Sequence, residues 1–134
     1  MGAATRIDAA DELEDFAAGR LPPGRFGHRD HVRLAHGMLA RHGFEGALTR
    51  YAAGLRAATR AAGAPEKFNL TVTIAFLALI GERMEAAPGE GWEAFERANP
   101  DLMDPACLTR WYGRDRLSSP AARRTFLLPE PARS

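Results

Sequence analysis

Apolar residues recur at helical spacing along most of this chain, and alanine fills many of the positions between them. The chain has 26 alanines among 134 residues and few β-branched residues, a composition that favours α-helix over β-strand. This length suits one domain that buries its own core. We therefore expect an all-α fold, a compact bundle of five to six helices forming one domain over residues 1–134, with an irregular tail from about residue 113.

Capping and stop signals predict where the helices begin and end. Gly43 is expected to separate the second helix from the third, and Asn69 is expected to cap the fourth. The fourth helix is apolar on most sides through Ile80, so we expect it at the centre of the bundle. The predicted helices cover residues 11–19, 30–42, 44–62, 69–87, 92–98 and 104–112.

Aromatic residues at helical spacing are expected in the core. Phe44 and Tyr51 lie on one stripe of the third predicted helix, and Trp111 is expected to be buried in the sixth. Trp92 and Phe95 are expected to face inward from the fifth helix. These side chains would supply much of the buried apolar area.

The formal net charge is +1, so no global electrostatic attraction to nucleic acid or membranes follows. Charges alternate in blocks, with residues 20–60 and 106–134 basic and the other two segments acidic. These blocks either neutralise one another on packing or form a positive cleft for an anionic small molecule. No basic run is interleaved with aromatic residues, so we expect no nucleic-acid partner, although the basic block at residues 20–60 is the place where one would bind.

The single cysteine, Cys107, cannot form an intramolecular disulfide, which favours a reducing, cytoplasmic location. The chain does not open with a basic segment followed by an apolar one, so we expect no secretory signal. Its longest strongly apolar run, residues 72–80, is far shorter than the roughly 20 residues that cross a bilayer. We therefore expect no membrane partner.

All four histidines fall between positions 28 and 42. His28 and His31 are three residues apart, so both imidazoles can lie on one helical face. They could bind a transition metal such as Fe, Zn or Cu with a further ligand from elsewhere, or act as acid and base. The alternative is that both are structural histidines held by hydrogen bonds. His36 and His42 are expected to be exposed or at a rim.

Five polar residues could complete such a site. Lys67 is the only lysine in a chain with 17 arginines, which hints at a required amine, the alternative being an ordinary surface lysine. Asn69, Thr71 and Thr73 either line a pocket at the start of the fourth helix or serve as a cap and as bonds to the helix backbone. Arg33 could bind a substrate carboxylate. The catalytic candidates are His28, His31 and Lys67, and the other four are candidate substrate-binding residues.

Two motifs resemble the signatures of a group of small bacterial helical proteins of unassigned function. The first is F-x-H-x-x-H-x-x-x-A over residues 26–35, and the second is K-[YF]-[HN]-x-T-x-T over residues 67–73. The resemblance implies one helical domain in which the histidines and the second motif belong together. It also implies that members with histidine at position 69 carry three histidines there. Asn69 departs from that version, because an amide oxygen is a poor ligand for Zn or Cu.

Two functions stay open. The first is a small-molecule-binding protein, with a pocket between the second and fourth helices, in which His28 and His31 act on a substrate as metal ligands or as acid and base. The second is a non-catalytic module that binds a ligand or serves as the accessory subunit of an enzyme. Alanine-rich helix faces also allow a homodimer, because they permit close packing.

Overall fold

Six α-helices and three short 3-10 helices make up the part of the chain that the computed structural model describes, residues 9–21 and 27–130, with side chains from residue 12 onward. The α-helices are α1 (Ala9–Ala17), α2 (His28–Ala61), α3 (Leu70–Ala86), α4 (Trp92–Ala98), α5 (Arg114–Leu117) and α6 (Pro120–Arg124). The 3-10 helices are Pro65–Lys67, Pro100–Met103 and Cys107–Arg110. These two ranges contain no β-strand, and the prediction of an all-α fold is confirmed.

The longest helix, α2, is two helices joined at a glycine. Gly43 has φ 71° and ψ −179°, which is not helical, while the residues on both sides continue the helix. This backbone conformation favours glycine, because a Cβ makes positive φ costly. The predicted boundary between the second and third helices is therefore correct, although hydrogen bonding continues across it.

The first helix packs against both halves of α2, with Leu13 beside Gly37 in the first half and Phe16 beside Gly54 in the second. Leu13 and Phe16 of α1 are buried, and the ring of Phe16 lies 5.9 Å from that of Tyr51 between centroids. Gly54 of α2 sits directly beneath Phe16, where a Cβ would overlap the ring. A glycine in the helix interior thus allows the two helices to approach closely.

The helix α3 packs against both halves of α2 through its buried face. Asn69 caps it as predicted, since Asn69 Oδ1 accepts from the backbone N–H of Val72 at 3.0 Å. Phe76, Leu77 and Ile80 are buried in the core. The opposite face of α3 is exposed at Ala78, so the expectation of a wholly central helix holds for one side only.

The prediction that His36 is exposed or at a rim is wrong. His36 is 6% exposed, and its ring lies 5.6 Å from that of Trp92 and 4.8 Å from that of Phe95 between centroids. Both aromatic residues come from α4, which covers this part of α2. Phe95 is fully buried and Trp92 packs against the core, as predicted.

The prediction of a sixth α-helix over residues 104–112 is also wrong, because the helix there is of the 3-10 type. Residues 104–112 contain one 3-10 helix, Cys107–Arg110, and in the turn before it Asp104 Oδ1 accepts from the backbone N–H of Ala106 at 2.9 Å. Leu108 is buried, but Trp111, which was expected to be buried, is 41% exposed. Phe44, expected on an inward stripe, is 42% exposed.

The segment after residue 113 is more ordered than predicted. It forms α5 and α6, and Ala122 of α6 is completely buried. Ser119 caps α6, accepting from the N–H of Ala122 at 3.1 Å. Among the described helices, none combines the length and hydrophobicity that spanning a membrane requires.

Candidate functional site

A cavity of about 160 Å³ lies between the first turns of α2 and the buried face of α3. Its lining residues are His28, His31, Val32, Tyr51, Leu55, Val72, Thr73, Phe76, Ile80 and Pro105. The two histidines share a helical face, as their spacing predicts. The structure therefore brings three of the predicted site residues together, His28, His31 and Thr73.

The imidazole of His28 is held in place by the backbone. Its Nε2 donates to the carbonyl oxygen of Leu102 at 2.8 Å, and its ring packs edge-on against Phe76 at 5.0 Å between centroids. Because Nε2 carries the hydrogen, Nδ1 is the nitrogen with a free lone pair in neutral His28. Nδ1 is thus the atom of His28 that can accept a hydrogen bond or bind a metal ion.

His31 has a different environment. Burial lowers the pKa of His31, the nearby His28 lowers it further, and Asp30 opposes both. His31 is therefore neutral at neutral pH, with one donor and one acceptor nitrogen. Neither nitrogen has a hydrogen-bond partner among the described residues, although the backbone carbonyl of His31 accepts from Tyr51 Oη at 3.2 Å.

The remaining polar atoms of the cavity wall are already committed. The Tyr51 hydroxyl donates to the backbone, and burial raises its pKa. The Thr73 hydroxyl donates to the backbone carbonyl of Asn69 at 2.7 Å, which is the structural alternative considered for this residue. Besides Nδ1 of His28, the imidazole of His31 is therefore the polar group that remains available in an otherwise largely apolar cavity.

A metal at this position would rest on two protein ligands. In the two described ranges, no three His, Cys, Asp or Glu side chains lie close enough together to hold one ion. Cys107 is buried but does not line the cavity, and burial raises its pKa. Two imidazoles alone leave most coordination positions to molecules from outside the chain.

Two of the predicted site residues lie away from the cavity. Lys67 is exposed at the end of its 3-10 helix and does not line the cavity. The guanidinium of Arg33 binds Glu12 at 2.5 Å and lies 3.6 Å from Asp30. These two carboxylates neutralise the positive charge of Arg33, which was expected to bind a substrate carboxylate.

The second sequence motif ties the C-terminal segment to α3. Asn69 Nδ2 donates to the carbonyl oxygen of Leu117 at 2.6 Å, while its Oδ1 caps α3. The Thr71 hydroxyl donates to the carbonyl oxygen of Thr125 at 2.6 Å and accepts from the N–H of Leu127 at 3.0 Å. Neither side chain lines the cavity, and the hydrogen bonds of both give them a structural role.

Two contributors to the cavity were not expected from the sequence. Tyr51 was assigned to the core without a polar partner, and Pro105 was placed in a helix that does not form. Only the kink at Gly43, which orients the second half of α2, brings Tyr51 back against the first half. No sequence signal marks that pairing.

No family model, no curated protein and no solved structure matches this chain.

Proposed function

We propose that this protein binds a small, mostly apolar molecule in the histidine cavity, and that His31 accepts a hydrogen bond or proton from it. The observation that carries the proposal is the neutral imidazole of His31, which lines the cavity without a partner among the described residues. An unbonded polar group in a confined apolar site selects ligands that supply its missing partner.

The cavity volume limits the size of the ligand. An engineered protein cavity of about 150 Å³ accommodates benzene, and this one measures about 160 Å³. A single six-membered ring, or an aliphatic molecule of similar size, is therefore the largest ligand that fits without rearrangement.

The cavity lining also favours a neutral ligand. No Arg or Lys is among the residues that line it, and both Arg33 and Lys67 lie elsewhere. An anionic ligand would lose its hydration without gaining a cationic partner, which costs free energy. The preferred ligand is uncharged and carries one O–H or N–H group.

This arrangement also fits the first step of acid–base catalysis. If the ligand O–H bond breaks, the proton forms a bond to the free nitrogen of His31 and the electron pair stays on the ligand oxygen. The product is an anion beside an imidazolium, held in a cavity of low polarity. A substrate with a weakly acidic proton is the class that this step would require.

Phenol and toluene distinguish this proposal from simple apolar binding, because they match in size and only phenol donates a hydrogen bond. We expect native protein to bind phenol at least about tenfold more tightly than toluene, which corresponds to about 1.4 kcal/mol. The H31L variant should lose this preference while still binding toluene. Calorimetric titration of native protein and of H31L with both compounds measures this preference.

The H42L variant is the matched control, because His42 lies on the same helix and does not line the cavity. It should keep the preference for phenol. Equal affinities of native protein for the two compounds, or a preference that survives H31L, would contradict the role given to His31. Binding of neither compound would contradict a ring-sized site.

One observation favours a metal as a second candidate. A metal-binding histidine commonly donates its other N–H to a backbone carbonyl, as His28 does to Leu102. Elemental analysis of protein purified without chelator or nickel resin, beside an H28A/H31A variant, tests this. Stoichiometric Fe, Zn or Cu that disappears in the variant would replace the metal-free proposal.

The exposed aromatic residues favour the non-catalytic alternative, an interaction module. Phe44 lies on one side of α3, and Trp111 and Phe126 lie on the other, along grooves that share Ala78 and Glu82. Exposed apolar grooves of this kind mark protein contacts. Acidic side chains are the only charged ones lining both grooves, so the partner we propose is an amphipathic helix that carries Lys or Arg.

A designed helical peptide of leucine and lysine, beside one of leucine and glutamate with the same pattern, tests this alternative. We expect only the first to bind, and we expect E82K to weaken it at least about tenfold, since like charges then face each other. Equal binding of both peptides would contradict the charge complementarity. Sedimentation over a wide range of protein concentration would reveal a homodimer instead.

A further inference from the structure

Three buried polar atoms without partners in the described part of the chain belong to residues that lie around the contact between α2 and the start of α4. They are His36 Nε2, Glu90 Oε1 and Trp92 Nε1, and none has a hydrogen-bond partner among the described residues. His36 and Trp92 are in ring contact at 5.6 Å between centroids. Glu90 is close enough to His36 for its backbone and its carboxylate to affect the ring.

This clustering is unusual in a folded protein. Buried polar atoms nearly always find a partner, and those that do not are each costly. Here the three atoms come from the middle of α2, the first residue of α4 and the turn before α4. None of them bonds another, so the group they would share must come from outside the chain.

The hydrogen-bonding capacity of the three atoms defines that group. Glu90 Oε1 can only accept, and Trp92 Nε1–H can only donate. His36 is neutral at neutral pH, because burial lowers its pKa more than Glu90 raises it, so Nε2 either donates or accepts. The missing group must therefore both donate and accept, and must serve either form of His36.

We propose that a single internal water molecule bridges His36 Nε2, Glu90 Oε1 and Trp92 Nε1. Water has two hydrogens and two lone pairs, so it satisfies all three atoms in either tautomer of His36. Internal waters typically make about three hydrogen bonds to buried polar groups. A primary amide of formamide size has the same capacity, and the test separates it from water.

The bridge would join the turn that precedes α4 to the middle of α2. Gly91 begins α4 without a side-chain cap, so the turn has few other polar attachments to the core. His36 would thus serve as an attachment point for α4, which is independent of the cavity that holds His31. The failure of either proposal therefore leaves the other standing.

The indole N–H of Trp92 is the best probe, since the chain has only two tryptophans and a W111F variant assigns them. In native protein, we expect cross-peaks from this proton and from the ring protons of His36 at the water frequency. Their sign should differ between laboratory-frame and rotating-frame experiments, which identifies dipolar contact rather than exchange. The W111F variant should keep the cross-peaks of Trp92 and of His36 with water.

The W92F variant removes one donor, and we expect the cross-peak between His36 and water to weaken or disappear. A native Trp92 proton that is protected from exchange but shows no contact with water would overturn the proposal. So would a saturable shift of that proton on adding formamide together with loss of the water contact, because the site would then prefer an amide.

Discussion

The hydroxyl of Thr71 donates to the carbonyl oxygen of Thr125 at 2.6 Å, across 54 positions of sequence. The hydroxyl oxygen of Thr71 also accepts from the N–H of Leu127 at 3.0 Å. One fully buried hydroxyl thus satisfies two backbone groups of a segment that has little regular structure of its own. This makes the start of α3 the anchor for the C-terminal segment.

Thr71→Val should destabilise the protein although it changes the side-chain shape little. Removing the hydroxyl breaks two part-buried hydrogen bonds, to the carbonyl of Thr125 and from the N–H of Leu127, each worth about 0.5–1.5 kcal/mol. Urea unfolding followed by circular dichroism measures the free energy of unfolding. Thr109→Val is the control, since Thr109 is exposed and its hydroxyl only bonds Ala106 nearby. Equal losses in the two variants would contradict the anchoring role.

Asn69 combines two roles that substitutions can separate. Asn69→Ala removes the helix cap and the bond to Leu117 together, and should cost more than the roughly 1 kcal/mol typical of a cap. Asn69→Ser keeps an acceptor for the cap, so we expect it to lose only the stabilisation that comes from the bond to Leu117. Thermal or urea unfolding of both variants checks this order. A serine variant as unstable as the alanine variant would argue against separable roles.

Gly54→Ala should destabilise the protein even though alanine is the better helix former. Its Cβ would overlap the ring of Phe16, and overpacking of this kind costs about 1–3 kcal/mol. Gly81→Ala is the matched control within a helix, because its Cβ would lie 3.8 Å from Leu39 in ordinary contact. We expect Gly81→Ala to raise the free energy of unfolding by up to about 1 kcal/mol. A stabilised Gly54→Ala would mean that α1 packs differently.

Acidification should weaken the fold through its buried histidines. Burial is the largest cause that lowers the pKa values of His31 and His36 below 6.5. Between those lowered values and 6.5, the unfolded chain binds more protons than the folded one. The free energy of unfolding is therefore highest above pH 6.5 and falls as the pH decreases through that window.

Urea unfolding at a series of pH values measures this dependence, and histidine resonances give the midpoints directly. We expect His31 to titrate below its ordinary value, and His31→Gln to reduce the slope without abolishing it, because His36 still contributes. A slope that His31→Gln leaves unchanged would contradict the burial of a neutral His31.

The helices could be predicted because their signals are local. Asn69 caps α3 and Gly43 interrupts α2 where the sequence indicates, and both depend only on nearby residues. The environment of His36 could not be predicted in the same way. It is set by α4, whose contact with α2 depends on the turns between them, and spacing along one helix does not reveal which distant segment covers it.

The candidate site could likewise be predicted only where its signal is local. The spacing of His28 and His31 correctly placed both on one face, which lines the cavity. Lys67 was predicted as the only lysine of the chain and Asn69 as a polar residue at the start of the fourth helix, but Lys67 is exposed and Asn69 bonds the C-terminal segment instead. The resemblance to the small bacterial proteins stays a prediction.

The anchor at Thr71 also affects how the chain matures during synthesis. Domains form as the ribosome delivers them, from the N-terminus onward. When α3 emerges, Thr71 has no partner, because Thr125 and Leu127 are translated more than 50 residues later. The nascent bundle therefore exposes this end of α3 until Thr125 and Leu127 have been translated.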